Sequence, residues 1–88
     1  MSKNTSITID LEGFSHIQKL RIQWIVDHLI KYGIVRRNEV CRAFSIGTAT
    51  VTSDFNRLHS RAPSMMTYDK SLRAYTISHV KVKLKGAV

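Results

Sequence analysis

Between residues 16 and 32, HIQKLRIQWIVDHLIKY places Ile22, Ile25, Val26 and Leu29 on one side of a helix. Ile17, Leu20 and Trp24 fall on a second side, about 150° away at helical spacing. Ser15 stands where an N-cap hydroxyl belongs, and Gly33 where a left-handed residue closes a helix. A helix with two apolar sides calls for two partners. IVR (34–36) reads as a short extended link, NEVCRAF (38–44) as a two-turn helix and SIG (45–47) as a tight turn. A third helix then runs from Thr48 to about Ser60, with Val51, Phe55 and Leu58 as its buried edge at i, i+4 and i+7. Pro63 stops any continuation.

MMTYDKSLRAYTIS (65–78) reads as a β-hairpin, with strands around Tyr68 and Tyr75 and Asp69–Leu72 as its turn. SITIDL (6–11) and HVKVKL (79–84) both alternate at period two, as half-buried strands do. They pair with each other, setting Asp10 against a lysine, or else they fray as tails. The order of elements is that of an α+β winged helix-turn-helix: three helices and a hairpin wing. Residues 1–15 form an N-terminal extension, 16–78 the domain proper and 79–88 a basic C-terminal extension.

Composition narrows the partner. At 88 residues the chain makes at most one domain, and its 43% apolar content is ordinary for a globular one. Fourteen Lys and Arg against six Asp and Glu, for a net charge of +8, favour a polyanionic partner. The single cysteine, Cys41, rules out an internal disulfide and fits a reducing cytoplasm, where it serves as a small half-buried hydrophobe. No apolar run is long enough to span a membrane, and MSKNTSITIDLEG lacks a signal-peptide core.

The third helix has an unusual composition for a solvated surface. With Val51, Phe55 and Leu58 inward, its outer face carries Ala49, Thr50, Ser53, Asn56 and Arg57, with Thr48 at the tip. Short hydroxyls, one amide and one guanidinium without an acid suit the floor of a DNA major groove. Small side chains let the helix approach, Asn56 and the hydroxyls read base edges, and Arg57 reaches guanine or phosphate. Arg36 and Arg37 flank the start of the second helix, where backbone amides also address phosphate. Lys70 and Arg73 sit at the hairpin turn, placed to reach the neighbouring minor groove or backbone, and Lys81, Lys83 and Lys85 add distal phosphate contacts.

From Arg21 to Tyr75 the chain resembles the N-terminal winged-helix domain of WYL-domain transcriptional regulators, a group that includes repressors of phage-defence operons. It is more distantly similar to DeoR-type repressors. The matching features are the G-I-V link after the first helix, AFSIG, TSDFNRL and AP-x-x-M-x-YD-x-S-x-R-A-Y. The spacing of Pro63, Tyr68, Asp69 and Tyr75 is the most specific of them. The resemblance covers about 55 of the 88 residues. It implies that Thr48, Thr50, Ser53, Asn56 and Arg57 occupy recognition-helix positions and that Lys70 and Arg73 lie in the wing. The family usually reads Gly-Ile-Ser in the turn, whereas this chain reads Ser45-Ile46-Gly47, so Ser45 must adopt a conformation that glycine prefers. The ligand-sensing domain of the family has no counterpart in these residues, and no small-molecule effector is implied.

Catalytic and metal chemistry finds no constellation. His16, His28, His59 and His79 are scattered, each a surface or partly buried imidazole, so no metal and no cofactor is expected. Asp54 reads as an anchor for Arg57 or a backbone amide, and Tyr68, Tyr75, Met65 and Met66 as packing beneath the wing. The expectation is not an enzyme but a sequence-specific double-stranded DNA-binding regulator, a repressor, of a phage or mobile element. Helix 48–60 enters the major groove, and hairpin 66–77 is the wing. Two further readings are an architectural or excisionase-like DNA-bending protein and a protein-interaction module. The second stripe, Ile17, Leu20 and Trp24, is expected at a homodimer contact that reads an inverted-repeat operator, unless the two terminal strands cover it.

Overall fold

In the computed structural model, which describes residues 5–78 and 80–87, the chain is a small α+β domain. Its elements in order are β1 (Thr5–Asp10), α1 (His16–Tyr32), β2 (Ile34–Val35), α2 (Arg37–Phe44), α3 (Thr48–Arg61), β3 (Met66–Asp69), β4 (Ala74–Ile77) and β5 (Val80–Lys85). His79, read from sequence as a surface or partly buried imidazole at the start of a strand, lies outside the described residues. No helix among those described is long and apolar enough to cross a membrane.

Local sequence accounts for the limits of α1. Ser15 Oγ accepts from the amide of Gln18 at 3.2 Å while the Gln18 side chain accepts from the Ser15 amide at 2.9 Å, a reciprocal capping box. At the other end Gly33 adopts φ 80°, and its amide reaches Leu29 O. That turn delivers Ile34 and Val35 to the sheet, where they pair antiparallel with Thr76 and Tyr75. The sheet order is β2-β4-β3, with Tyr68 opposite Tyr75 in the hairpin. The link 34–36 is therefore an edge strand as well as a connection.

Between α2 and α3 the turn follows the sequence expectation. Ser45 sits in the left-handed region at φ 54°, ψ 49°, a conformation that costs a residue with a Cβ about 1–2 kcal/mol. Gly47, extended at φ −82°, starts α3 without a side-chain cap. The hairpin turn falls one residue later than read, at residues 70–73, where Arg73 is also left-handed at φ 52°. Asp69 holds it by accepting from the amide of Leu72 at 3.0 Å.

The core lies between α1, the inner edge of α3 and the sheet. Ile22, Ile25, Val26 and Leu29 from α1 meet Val51, Phe55 and Leu58 from α3, closed below by Met65 and Met66. The Phe55 ring stacks on Tyr75, centroids 4.2 Å apart and 11° from parallel, which fastens α3 to the hairpin.

The terminal strands pair with each other in one parallel ribbon, β1 against β5, with Asp10 opposite Lys85. They do not cover the second stripe of α1. Their inward side chains take a different course, burying Ile9 and, just past the strand, Leu11. Ile17 stays 51% and Leu20 37% exposed. Trp24 departs from its two companions: it is half-buried, stacked on His28 at 4.7 Å and edge-on to Phe44 of α2 at 6.0 Å.

Candidate nucleic-acid interface

The outer face of α3 presents the side chains that its helical spacing predicts. Thr48, Ala49, Thr50, Asn56 and Arg57 are exposed, and Ser53 is half-buried at the margin. Across from the second half of this helix stand Gly13, Phe14 and Gln18, so Ser53, Asn56, Arg57 and Ser60 form one wall of an open, polar cleft of about 670 Å³. Arg61 bridges the walls. Its guanidinium lies 4.4 Å from the centroid of the Phe14 ring, and Nη1 donates to Asp10 O. Gln18, Ser60 and Arg61 were not legible as members of this surface. The loop that faces α3 belongs to a part of the chain with no periodic pattern.

Electrostatics on this face depend on one buried pair. Asp54, fully buried, accepts from Arg21 Nε at 2.5 Å and Nη2 at 3.2 Å. The expected partner of Asp54 is present, with Arg57 Nη1 at 4.0 Å on a side chain 45% exposed, but the closer partner is Arg21, which was not expected from the sequence. Arg21 satisfies the carboxylate in fork geometry from beneath, which leaves Arg57 able to engage an anion above. A signal for the pair existed in the sequence. Arg21 adjoins the apolar stripe of α1, and Asp54 lies between Val51, Phe55 and Leu58 on the stripe of α3, so two opposite charges sit on facing apolar surfaces.

Three of the remaining acids have partners of their own. Glu39 accepts from the amide of Arg36 at 2.7 Å and lies 3.5 Å from His28 Nε2. His28 is thus one of the partly buried imidazoles, held between the Trp24 and Tyr32 rings. Asp69 is committed to the hairpin turn and Asp10 to the amide of Glu12.

Arg36 and Arg37, both half-buried, begin α2 as expected. Arg37 lies 5.8 Å from the Tyr68 centroid, and Tyr68 in turn meets Tyr75 edge-on at 5.0 Å. The start of α2, the hairpin and α3 are thus joined through Arg37, Tyr68, Tyr75 and Phe55. Tyr68 keeps 37% of its surface exposed, so it is less a packing residue than the sequence suggested, whereas Met65 and Met66 are buried as read. Lys70 and Arg73 are exposed at the hairpin tip, and no hydrogen bond or ion pair among the described residues ties them to α3.

No cluster of three or more His, Cys, Asp or Glu able to hold a metal ion occurs among the described residues. Cys41 is half-buried beside the core. The outer face of α3 offers short hydrogen-bonding groups beside the exposed Arg57 guanidinium. Neither protein-family models nor curated protein sequences match this chain.

Proposed function

We propose that the chain is a sequence-specific double-stranded DNA-binding regulator, a repressor, built as a winged helix-turn-helix. In this reading α3 enters the major groove, which at about 12 Å wide admits a helix. Thr48, Thr50, Ser53, Asn56 and Arg57 face the base edges. Arg36 and Arg37 hold the phosphates at the start of α2, and Lys70 and Arg73 do so from the wing. The observation that carries the reading is the acid-free outer face of α3, whose one carboxylate, Asp54, is buried and occupied by Arg21. The resemblance of residues 21–75 to the DNA-binding domain of WYL-type regulators supports it.

The same reading includes a homodimer on an inverted repeat. Ile17 and Leu20 remain exposed on α1, with Trp24 at their edge, and burying an apolar side chain of this size contributes roughly 1.5–3 kcal/mol. Two-fold symmetry also doubles the DNA surface that one small domain covers.

Selection from a pool of randomised duplexes tests both parts at once. The expected consensus is an inverted repeat whose half-sites lie about one helical turn apart. Asn56→Ala or Arg57→Ala should flatten preference at particular positions by about 1–3 kcal/mol, whereas Lys70→Ala and Arg73→Ala weaken all sequences alike. A pool that enriches nothing removes sequence-specific recognition. A consensus indifferent to Asn56 and Arg57 moves the reading surface elsewhere, and a consensus without symmetry removes the dimer.

A further inference from the structure

The β1–β5 ribbon has one apolar face and one charged face, and the charged one is not explained by folding. Ile7, Ile9, Val82 and Leu84 turn toward the core, while Ser6, Thr8, Lys81, Lys83 and Lys85 are exposed to solvent. Alternate residues of a strand lie about 6.6 Å apart, so the three lysines leave the ribbon at that pitch. Neighbouring phosphates of one B-DNA strand are separated by about 3.4 Å of rise and about a tenth of a turn, which sets them roughly 6–7 Å apart. The two spacings match.

No ion pair among the described residues engages these lysines. Asp10 stands opposite Lys85 and the Glu12 carboxylate lies beside Gly86, so both acids are at the Lys85 end and Lys81 and Lys83 are the least compensated. The place of the ribbon also fits. Leu11 donates its amide to Lys85 O, and Arg61, at the end of α3, donates to Asp10 O, so the Lys85 end is fastened beside the C-terminal end of α3. A membrane surface is the poorer partner, because interfacial binding buries apolar side chains and this face has none.

We infer that Lys81, Lys83 and Lys85 form a second DNA-binding element that follows the phosphodiester backbone outside the half-site, one lysine per phosphate. The inference rests on the DNA-binding reading of α3. It assigns the C-terminal strand the task of lengthening the footprint without reading sequence.

The test uses the full chain and two duplexes. One is trimmed to the shortest length that retains specific binding, and the other is extended by about half a turn on each side. Wild type should bind the extended duplex with a log–log salt slope steeper by about 2–3 per subunit, as expected for three further phosphate contacts from each protomer. Raising salt from about 50 to about 200 mM then costs it roughly 15–60-fold more affinity per subunit than it costs the variant Lys81→Gln/Lys83→Gln/Lys85→Gln. On the short duplex the two proteins should agree. Lys83→Gln alone, which leaves the ribbon least disturbed, should lower the slope by about 1 per subunit. A control carrying Lys19→Gln and Lys31→Gln, on α1, removes charge without removing the length effect. The inference is overturned if wild type gains nothing from the longer duplex, or if the triple variant keeps that gain or weakens equally on both. Retention on anionic lipid vesicles through these lysines, without a length effect on DNA, also overturns it. Specific binding to the short duplex shows in each of these cases that the reading of α3 stands independently.

Discussion

Asp54→Ala is expected to cost about 3–5 kcal/mol of folding stability, the largest effect of any single polar substitution in this domain. Arg21 is 8% and Asp54 0% exposed, and two hydrogen bonds at 2.5 and 3.2 Å join them between α1 and α3. Removing the carboxylate leaves a guanidinium buried without its partner. Small domains hold only about 5–15 kcal/mol in total, so much of the native margin disappears. The pair as a whole is a different matter. Desolvating two charges offsets most of their attraction, so Arg21→Leu/Asp54→Leu should lie much closer to wild type than either single change. Urea unfolding of Asp54→Ala, Arg21→Leu, Asp54→Leu and the double variant measures this. A single change costing under about 1 kcal/mol would mean that water reaches the pair and that it does not join the two helices.

Phe55→Ala should cost a similar amount, about 3–5 kcal/mol, through a different cause. Its fully buried ring fills the space between α1 and α3 and stacks on Tyr75 at 4.2 Å. Truncation opens a cavity and releases the hairpin from the helix that it braces. For a domain of this size a loss of 3 kcal/mol lowers Tm by at least about 12 °C. Phe55→Leu retains most of the apolar volume and should recover much of the loss, leaving a deficit of about 0.5–1.5 kcal/mol for the aromatic pair. Thermal unfolding of the two variants separates the terms. Equal losses would place the stabilisation in the stack alone, and negligible losses in both would contradict the packing of α3 on β4.

The parts of this fold legible in the sequence are those fixed by local periodicity or by one residue. Ser15 and Gly33 bound α1 because capping is a property of single positions, and Val51, Phe55 and Leu58 identify the inner edge of α3 by spacing alone. Ser45 was legible as strained because the turn demands φ above zero there. Strand alternation marked both terminal segments but carries no direction, so their parallel pairing came only with the structure. Two residues have no period, which is why Ile34–Val35 read as a link and not as a third strand. Contacts distant in sequence were the hardest. The Arg21–Asp54 pair spans 33 positions and shows only as two charges beside apolar stripes, while the Arg61–Asp10 contact spans 51 and has no local signature. Of the candidate interface, the outer face of α3 was legible, while the opposing wall at Gly13, Phe14 and Gln18 was not. Trp24 misled in part: its spacing joined it to Ile17 and Leu20, but Phe44 and His28 cover much of it within the chain.

The most direct test of DNA binding by this domain is the salt dependence of its affinity for a duplex trimmed to the core site. Arg36, Arg37, Lys70 and Arg73 together supply the expected phosphate neutralisation, each contact contributing about 0.9 to the slope. The log–log slope per subunit should therefore be on the order of −4 between low and moderate salt. A flat response would contradict nucleic acid as the partner.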